Sequence, residues 1–189
     1  MKWIGVDYGS KVAGTTAIYY LKNDHLNCIQ SEKKKDADQM LLEFIVKNKV
    51  ENIFIDAPLS LPGAFTGKSE EYFYRKCDKE TKAMSPMFLG GLTARAIKLK
   101  DSLPHVKFYE TYPAYLIKKI LQWEEDYMKK EKLNSKIIKR FESIMPYKLK
   151  HKPENWHQLD ALACWYSGYR YFNGDAVEIG DILEGVIVV

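Results

Sequence analysis

Apolar residues near the start of the chain come in short unbroken runs. Residues 2–7 carry Trp3-Ile4-Gly5-Val6 and close on Asp7, a pattern that predicts a buried strand with a carboxylate at its end. Gly14–Leu21 is rich in β-branched and aromatic residues, Lys22-Asn23-Asp24 is a turn cluster, and Leu26–Gln30 completes an antiparallel meander of three strands. The period then changes. Over residues 36–48, Met40, Leu41, Phe44 and Ile45 recur at helical spacing, with Asp36 or Asp38 placed to cap the first turn. Asn52–Asp56 is again a short apolar run, and again ends on an aspartate.

Three strands, a helix and a fourth strand limit the topology. A helical crossover predicts that the strand at 52–56 lies parallel to the first and beside it. Asp7 and Asp56 then leave the same edge of the sheet, where open α/β sheets bind ligands. Residues 57–84 form an insertion without clear periodicity. A helix is expected over 85–102, a fifth strand over 106–110 ending on Glu110, and helices over 113–123 and 135–143 joined by a charged connector. A helix over 153–172 and an edge strand over 179–189 complete the pattern. No repeat or linker divides residues 1–189, so one domain is expected. The expected fold is α/β: a five-stranded mixed sheet flanked by helices. Its first three strands are antiparallel, its fourth and fifth parallel to the first, and an insertion follows the fourth.

Composition narrows the partners. No apolar stretch approaches the ~20 residues of a membrane span, so no membrane partner is expected. The opening residues lack a basic-then-apolar signal pattern, so a cytoplasmic location is expected. The three cysteines, Cys28, Cys77 and Cys164, are far apart and suggest neither a zinc site nor a disulfide framework. A formal net charge of +4 leans towards an anionic partner. Lys far outnumbers Arg; the only arginines are Arg75, Arg95, Arg140 and Arg170, and a guanidinium can grip a phosphate bidentately.

Val6-Asp7-Tyr8-Gly9-Ser10 is the most telling segment. A buried strand-end carboxylate needs compensation, which a bound cation supplies. Gly9 permits close backbone approach, and Ser10-Lys11 brings a hydroxyl and a positive charge to the same turn. Ribonuclease H-like nucleases and actin-like or sugar-kinase-like phosphotransferases both begin in this way. Far downstream, His157 and Asp160 share one helical face. Ala161, Ala163, Cys164, Ser167 and Gly168 are small enough to seat that helix against a sheet. Asp160 would then approach Asp7 and Asp56. Such a cluster, with Glu110 as a further member, repels itself until a hard cation binds, and carboxylate oxygens suit Mg²⁺ or Mn²⁺. His157 would order a water or shuttle a proton. Arg75 with Asp78 reads either as an internal ion pair or as a contact to a phosphate. The run Gly63-Ala64-Phe65-Thr66-Gly67-Lys68-Ser69 falls one residue short of phosphate-loop spacing.

The series Gly5-Val6-Asp7, Ile55-Asp56-Ala57-Pro58, Arg75-x-Cys77-Asp78, Ser85-Pro86, Glu110-x-Tyr112-Pro113 and His157-Gln158-Leu159-Asp160-Ala161-Leu162 resembles the predicted nuclease family called domain of unknown function 429. Ile179-Gly180-Asp181…Glu184-Gly185-x-Ile187 extends the likeness over nearly the whole chain. The resemblance implies a ribonuclease H-like fold related to Holliday-junction resolvases. Asp7, Asp56 and Asp160 take its metal-ligand positions, with Glu110 as a fourth. It also singles out Arg75 and Asp78 without explaining them.

The expectation is a Mg²⁺- or Mn²⁺-dependent nuclease hydrolysing phosphodiester bonds of DNA or RNA. Asp7, Asp56, Glu110, Asp160 and His157 would do the chemistry, and Ser10, Lys11, Arg75 and Asp78 would face the substrate. Nucleic-acid binding would be sequence-nonspecific, and resolvase relatives suggest a homodimer by analogy. Two rivals are a phosphotransferase, against which stand the single domain and the lack of a second phosphate loop, and a non-catalytic nucleic-acid-binding module of the same fold.

Overall fold

In chain order the strands are β1 (Trp3–Asp7), β2 (Ala17–Lys22), β3 (His25–Gln30), β4 (Asn52–Asp56), β5 (Lys107–Glu110), β6 (Lys148–Leu149), β7 (Glu178–Asp181) and β8 (Gly185–Val188). The helices are α1 (Ala37–Asn48), α2 (Lys76–Thr81), α3 (Pro86–Leu89), α4 (Gly91–Asp101), α5 (Pro113–Tyr115), α6 (Ser135–Ile144) and α7 (Trp156–Asn173). They come from a computed structural model that describes residues 2–189; Met1, at the head of the opening apolar run, lies outside the described residues.

The described strands form one mixed sheet of eight, ordered β6-β3-β2-β1-β4-β5-β8-β7. β1 pairs antiparallel with β2 and β2 with β3, while β4 lies parallel to β1 and β5 parallel to β4. The five-stranded expectation is therefore corrected at both edges. Lys148 and Leu149 make a two-residue parallel contact with β3. The C-terminal run is a hairpin rather than one edge strand: β7 and β8 pair antiparallel, and β8 lies next to β5.

Four further departures are local. The helix expected over 85–102 breaks at Gly90, whose φ of +43° no ordinary residue adopts cheaply. Ser85 caps α3, accepting from the Met87 amide at 3.0 Å, and Pro86 fills its first position. The insertion is not wholly irregular, since it contains α2. The expected 113–123 helix is a short α turn running into a π turn at Leu116–Ile120, closed by the Leu121 amide on the Leu116 carbonyl at 2.9 Å. Helix α7 starts at Trp156, three residues late, because Asn155 caps it by accepting from the Gln158 amide.

Strand parity decides which side each residue serves. Ile4, Val6, Ile53 and Ile55 point to one face and pack with Leu41 and Ile45 of α1 and Ala96 and Leu99 of α4. Gly5 and Phe54 point to the other face, which α7 covers. By the same alternation Asp7 and Asp56 point towards α7.

The close seating of α7 depends on Gly5. A Cβ there would lie 2.1 Å from the Trp165 amide nitrogen and 2.4 Å from the Ala161 carbonyl oxygen. Backbone cannot step aside as a side chain can. Gly5→Ala is expected to lower stability by about 2–3 kcal/mol, read from the urea midpoint. An unchanged midpoint would mean that α7 is not held this tightly.

Candidate metal centre

Asp7 and Asp56 are direct neighbours in the parallel register of β1 and β4. Both are the last residue of their strand, so their carboxylates emerge together at one rim, on the α7 face. Asp160, in the second turn of α7, reaches the same point from above. One carboxylate oxygen from each of Asp7, Asp56 and Asp160 lies within 4.8 Å of the others. Asp7 and Asp56 border a cavity of about 340 Å³, whose apolar wall includes Met84, Leu89 and Leu92.

Their partners differ. Asp7 Oδ2 lies 2.7 Å from His157 Nδ1, which donates to it in the tautomer that carries hydrogen there. Asp160 Oδ1 accepts from the Tyr127 hydroxyl at 2.7 Å, and Asp160 Oδ2 lies 2.5 Å from Lys129 Nζ. Asp56 has no hydrogen-bond partner among the described residues; only burial and neighbouring charges act on its carboxyl.

The electrostatics follow from this crowding. Burial first, then the negative charges of Asp7 and Asp160, pushes the Asp56 carboxyl well above the ordinary carboxylate range. Burial raises Asp7 as well, against the lowering pull of its hydrogen bond to His157. Burial pushes Asp160 up to about 6, opposed chiefly by the Lys129 charge. The hydrogen bond to Asp7 in turn raises His157. Three carboxyls that disfavour their own charge, supplied only with oxygen donors, fit a hard divalent ion such as Mg²⁺ or Mn²⁺. The unpartnered Asp56 carboxylate is the clearest sign of that fit.

Glu110 does not join this trio. Its neighbour in register is Ile55, and it shares a sheet face with Phe108, which packs on the α1–α4 side. Thr111, one residue on, faces α7 instead, its hydroxyl 3.1 Å from Ser167 Oγ. The Glu110 carboxylate is buried and accepts from the Leu59 amide at 2.9 Å and from Arg75 at 2.6 and 2.7 Å.

Arg75 is 0% exposed, and all five of its side-chain N–H donors are engaged, by Asp78, Glu110 and Ser60. Of its two sequence readings, the ion pair describes the fold and the phosphate contact is corrected. A guanidinium with every donor engaged inside the protein has none left for substrate. Asp78 is buried with it, its Oδ2 also accepting from the Arg75 amide at 2.8 Å. Cys77, Asp78 and Glu110 form a second group of close ligand atoms, but the guanidinium already neutralises it.

Ser10 and Lys11 lie on the exposed loop after β1. The Ser10 amide donates to Thr15 Oγ1 at 2.8 Å, and Lys11 Nζ pairs with Asp36 at 3.1 Å. The same loop is braced by contacts among Arg95, Asp38 and Tyr8 that no sequence pattern announces. Arg95 of α4 grips Asp38 through Nε and Nη2 at 2.9 and 2.6 Å and donates to the Gly9 carbonyl at 3.0 Å. The Tyr8 hydroxyl donates to Asp38 as well, at 2.6 Å.

Tyr127 and Lys129 were missed altogether. They sit in the charged connector before α6, where Met128-Lys129-Lys130-Glu131-Lys132 looks like any solvated run. No sequence signal sets Lys129 apart from its neighbours.

No protein-family model matches the chain, and no curated protein matches it. Among solved structures, the fold is similar to a Thermus thermophilus RuvC structure, with a TM-score of 0.48 and 16% identity, over 93% of this chain and 98% of that one. It is also similar to T. thermophilus RuvC in complex with Holliday junction substrate, with a TM-score of 0.45 and 16% identity, over 91% and 95% of the two chains. No helix among the described residues is long and apolar enough to cross a membrane.

Proposed function

We propose that this chain is a Mg²⁺- or Mn²⁺-dependent nuclease of ribonuclease H-like fold, hydrolysing phosphodiester bonds of DNA or RNA. One observation carries the reading. Three carboxylates from β1, β4 and α7, more than a hundred residues apart at the extremes, bring oxygens within 4.8 Å of one another at the rim of a cavity. That cluster costs the fold stability, and a function is the economical reason to keep it.

A divalent ion bound there supplies Lewis-acid stabilisation of a phosphodiester and a water of lowered pKa. The chain's own residues set the stage for it. His157 orients Asp7 through its Nδ1 contact, and Tyr127 orients Asp160, so two of the three ligands are held from behind. Arg95 fixes the backbone at Gly9, just past Asp7. Met84, Leu89 and Leu92 give the cavity an apolar side that limits water around the reacting group. The Arg75 network anchors the insertion at Ser60 and Asp78 to Glu110 at the end of β5.

The reading is tested with a panel of single-stranded, duplex, forked and four-way-junction DNA and RNA, incubated with Mg²⁺ or Mn²⁺ and with the wild type or Asp7→Asn. Cleavage by the wild type and none by the variant is expected. Cleavage that survives the substitution, or a fully metal-loaded wild type that cuts nothing, contradicts it. ATP is expected to leave thermal stability unchanged; stabilisation by ATP would favour the phosphotransferase reading. Nucleic-acid affinity is expected to fall with salt, log K dropping by about 0.7–0.9 per phosphate contact per decade of salt, with little base preference. Fluorescence anisotropy at several salt concentrations measures both.

A further inference from the structure

The centre already contains a cation of the protein's own. Lys129 Nζ sits 2.5 Å from Asp160 Oδ2, on a carboxylate that is 1% exposed. Its charge acts on Asp7 and Asp56 as well as on Asp160. Lys129 thus faces all three carboxyl groups of the cluster. It reaches this position from outside, since its side chain is 49% exposed. Building on the metal-dependent reading above, we infer that Lys129 is a resident counter-ion which a divalent cation must displace, and that it thereby sets the affinity of the centre for metal.

The argument is one of charge and space. The trio carries up to three negative charges, and an ammonium is compact enough to lie directly on a carboxylate oxygen. It supplies one positive charge where a divalent ion supplies two. The oxygen that Lys129 holds belongs to a candidate metal ligand, so ammonium and metal compete for it. Binding metal therefore includes the work of expelling Lys129.

The surrounding connector is built to let that happen while staying attached. Asp126 is tied to α6 through Lys136 at 3.0 Å and Arg140 at 3.1 Å. The Glu131 carbonyl accepts from Trp156 Nε1 at 2.7 Å. Between these two anchors, Tyr127 buries its ring against Trp156 and donates its hydroxyl to Asp160, and the Lys129 ammonium lies on the same carboxylate. Residues 128–130 thus form a short strap over the centre, held to it through Lys129 by the carboxylate that the metal would claim.

The test is Mn²⁺ affinity, measured by calorimetry with electron paramagnetic resonance of the free ion, on the wild type, Lys129→Met and Lys130→Met. Lys129→Met is expected to bind about 10-fold more tightly, within the usual range of coupling between two ligands of one site. Lys130→Met controls for general charge and is expected to stay close to wild type. Equal or weaker binding by Lys129→Met would overturn the inference while leaving the metal site standing. Binding by neither protein would instead sink the metal-dependent reading itself. A measurement on the unmodified protein guards against a variant that misfolds. Hydrogen exchange at residues 128–130 is expected to speed up when Mn²⁺ is added, because Lys129 loses its hold on Asp160. Unchanged or slower exchange would overturn the inference.

Discussion

Arg75→Met is expected to lower the stability of the fold by about 3–5 kcal/mol, the range for removing one partner of a buried ion pair. Two buried carboxylates, Asp78 and Glu110, would lose the guanidinium that donates to both of them. Burial already raises Glu110 above its ordinary value, and Arg75 is the chief group opposing that rise. Arg75→Lys is expected to recover little. Its ammonium has three donors on a flexible stem, whereas the site uses five from a rigid fork. Urea denaturation of both variants provides the measurement. A loss below about 1 kcal/mol for Arg75→Met would mean that the network adds little, as exposed ion pairs usually do.

Asp56→Asn is expected to move activity and stability in opposite directions. Nuclease activity should fall by at least about 10³-fold, as is usual when a member of a cooperating catalytic set is removed. The metal-free protein should become more stable by about 0.5–2 kcal/mol, the gain typical of relieving strain at a functional site. The reason for the gain is specific to this residue. Asp56 is the member of the trio with no hydrogen-bond partner, and its charge is opposed by Asp7 and Asp160 together. An amide removes that repulsion without breaking any contact. Asp7→Asn and Asp160→Asn would each disturb a hydrogen bond, to His157 and to Tyr127, so their stability should rise less or fall. Thermal unfolding in a chelating buffer, beside the cleavage assay, reads both effects. A destabilised Asp56→Asn protein would show that the aspartate serves the fold rather than a ligand.

The legible part of this molecule is the part governed by local pattern. Alternation and turn residues mark β1 to β3, helical spacing marks α1, and the crossover it makes places β4 beside β1. Once the register is parallel, two strand-end aspartates become neighbours. The small residues of α7 then explain how Asp160 comes within reach, although the equal importance of Gly5 on the other side emerges only from the close approach to Trp165. Glu110 looked like a further ligand because it also ends a strand. Parity defeated that reading: β5 ends one residue out of phase, so Thr111 takes the α7 face.

The illegible part is governed by contacts that leave no periodic trace. The partnership of Arg75 with Glu110 spans 35 residues. Nothing in either segment announces the other. The pairing of Lys148–Leu149 with β3 is too short to show as a strand, and the C-terminal run hides a hairpin inside a stretch that reads as a single strand. Lys129 is the extreme case, one lysine of several in a polar connector, distinguished only by where the chain happens to set it down.

Mn²⁺ titration of the wild type and Asp56→Asn, followed by thermal unfolding, tests the metal centre most directly. The wild type should gain stability steadily with Mn²⁺ concentration, as any ligand of the folded state requires, while Asp56→Asn should start higher and fail to respond. A wild type indifferent to Mn²⁺, or a variant that gains as much as the wild type does, would contradict the assignment of Asp7, Asp56 and Asp160 as the ligands of a divalent ion.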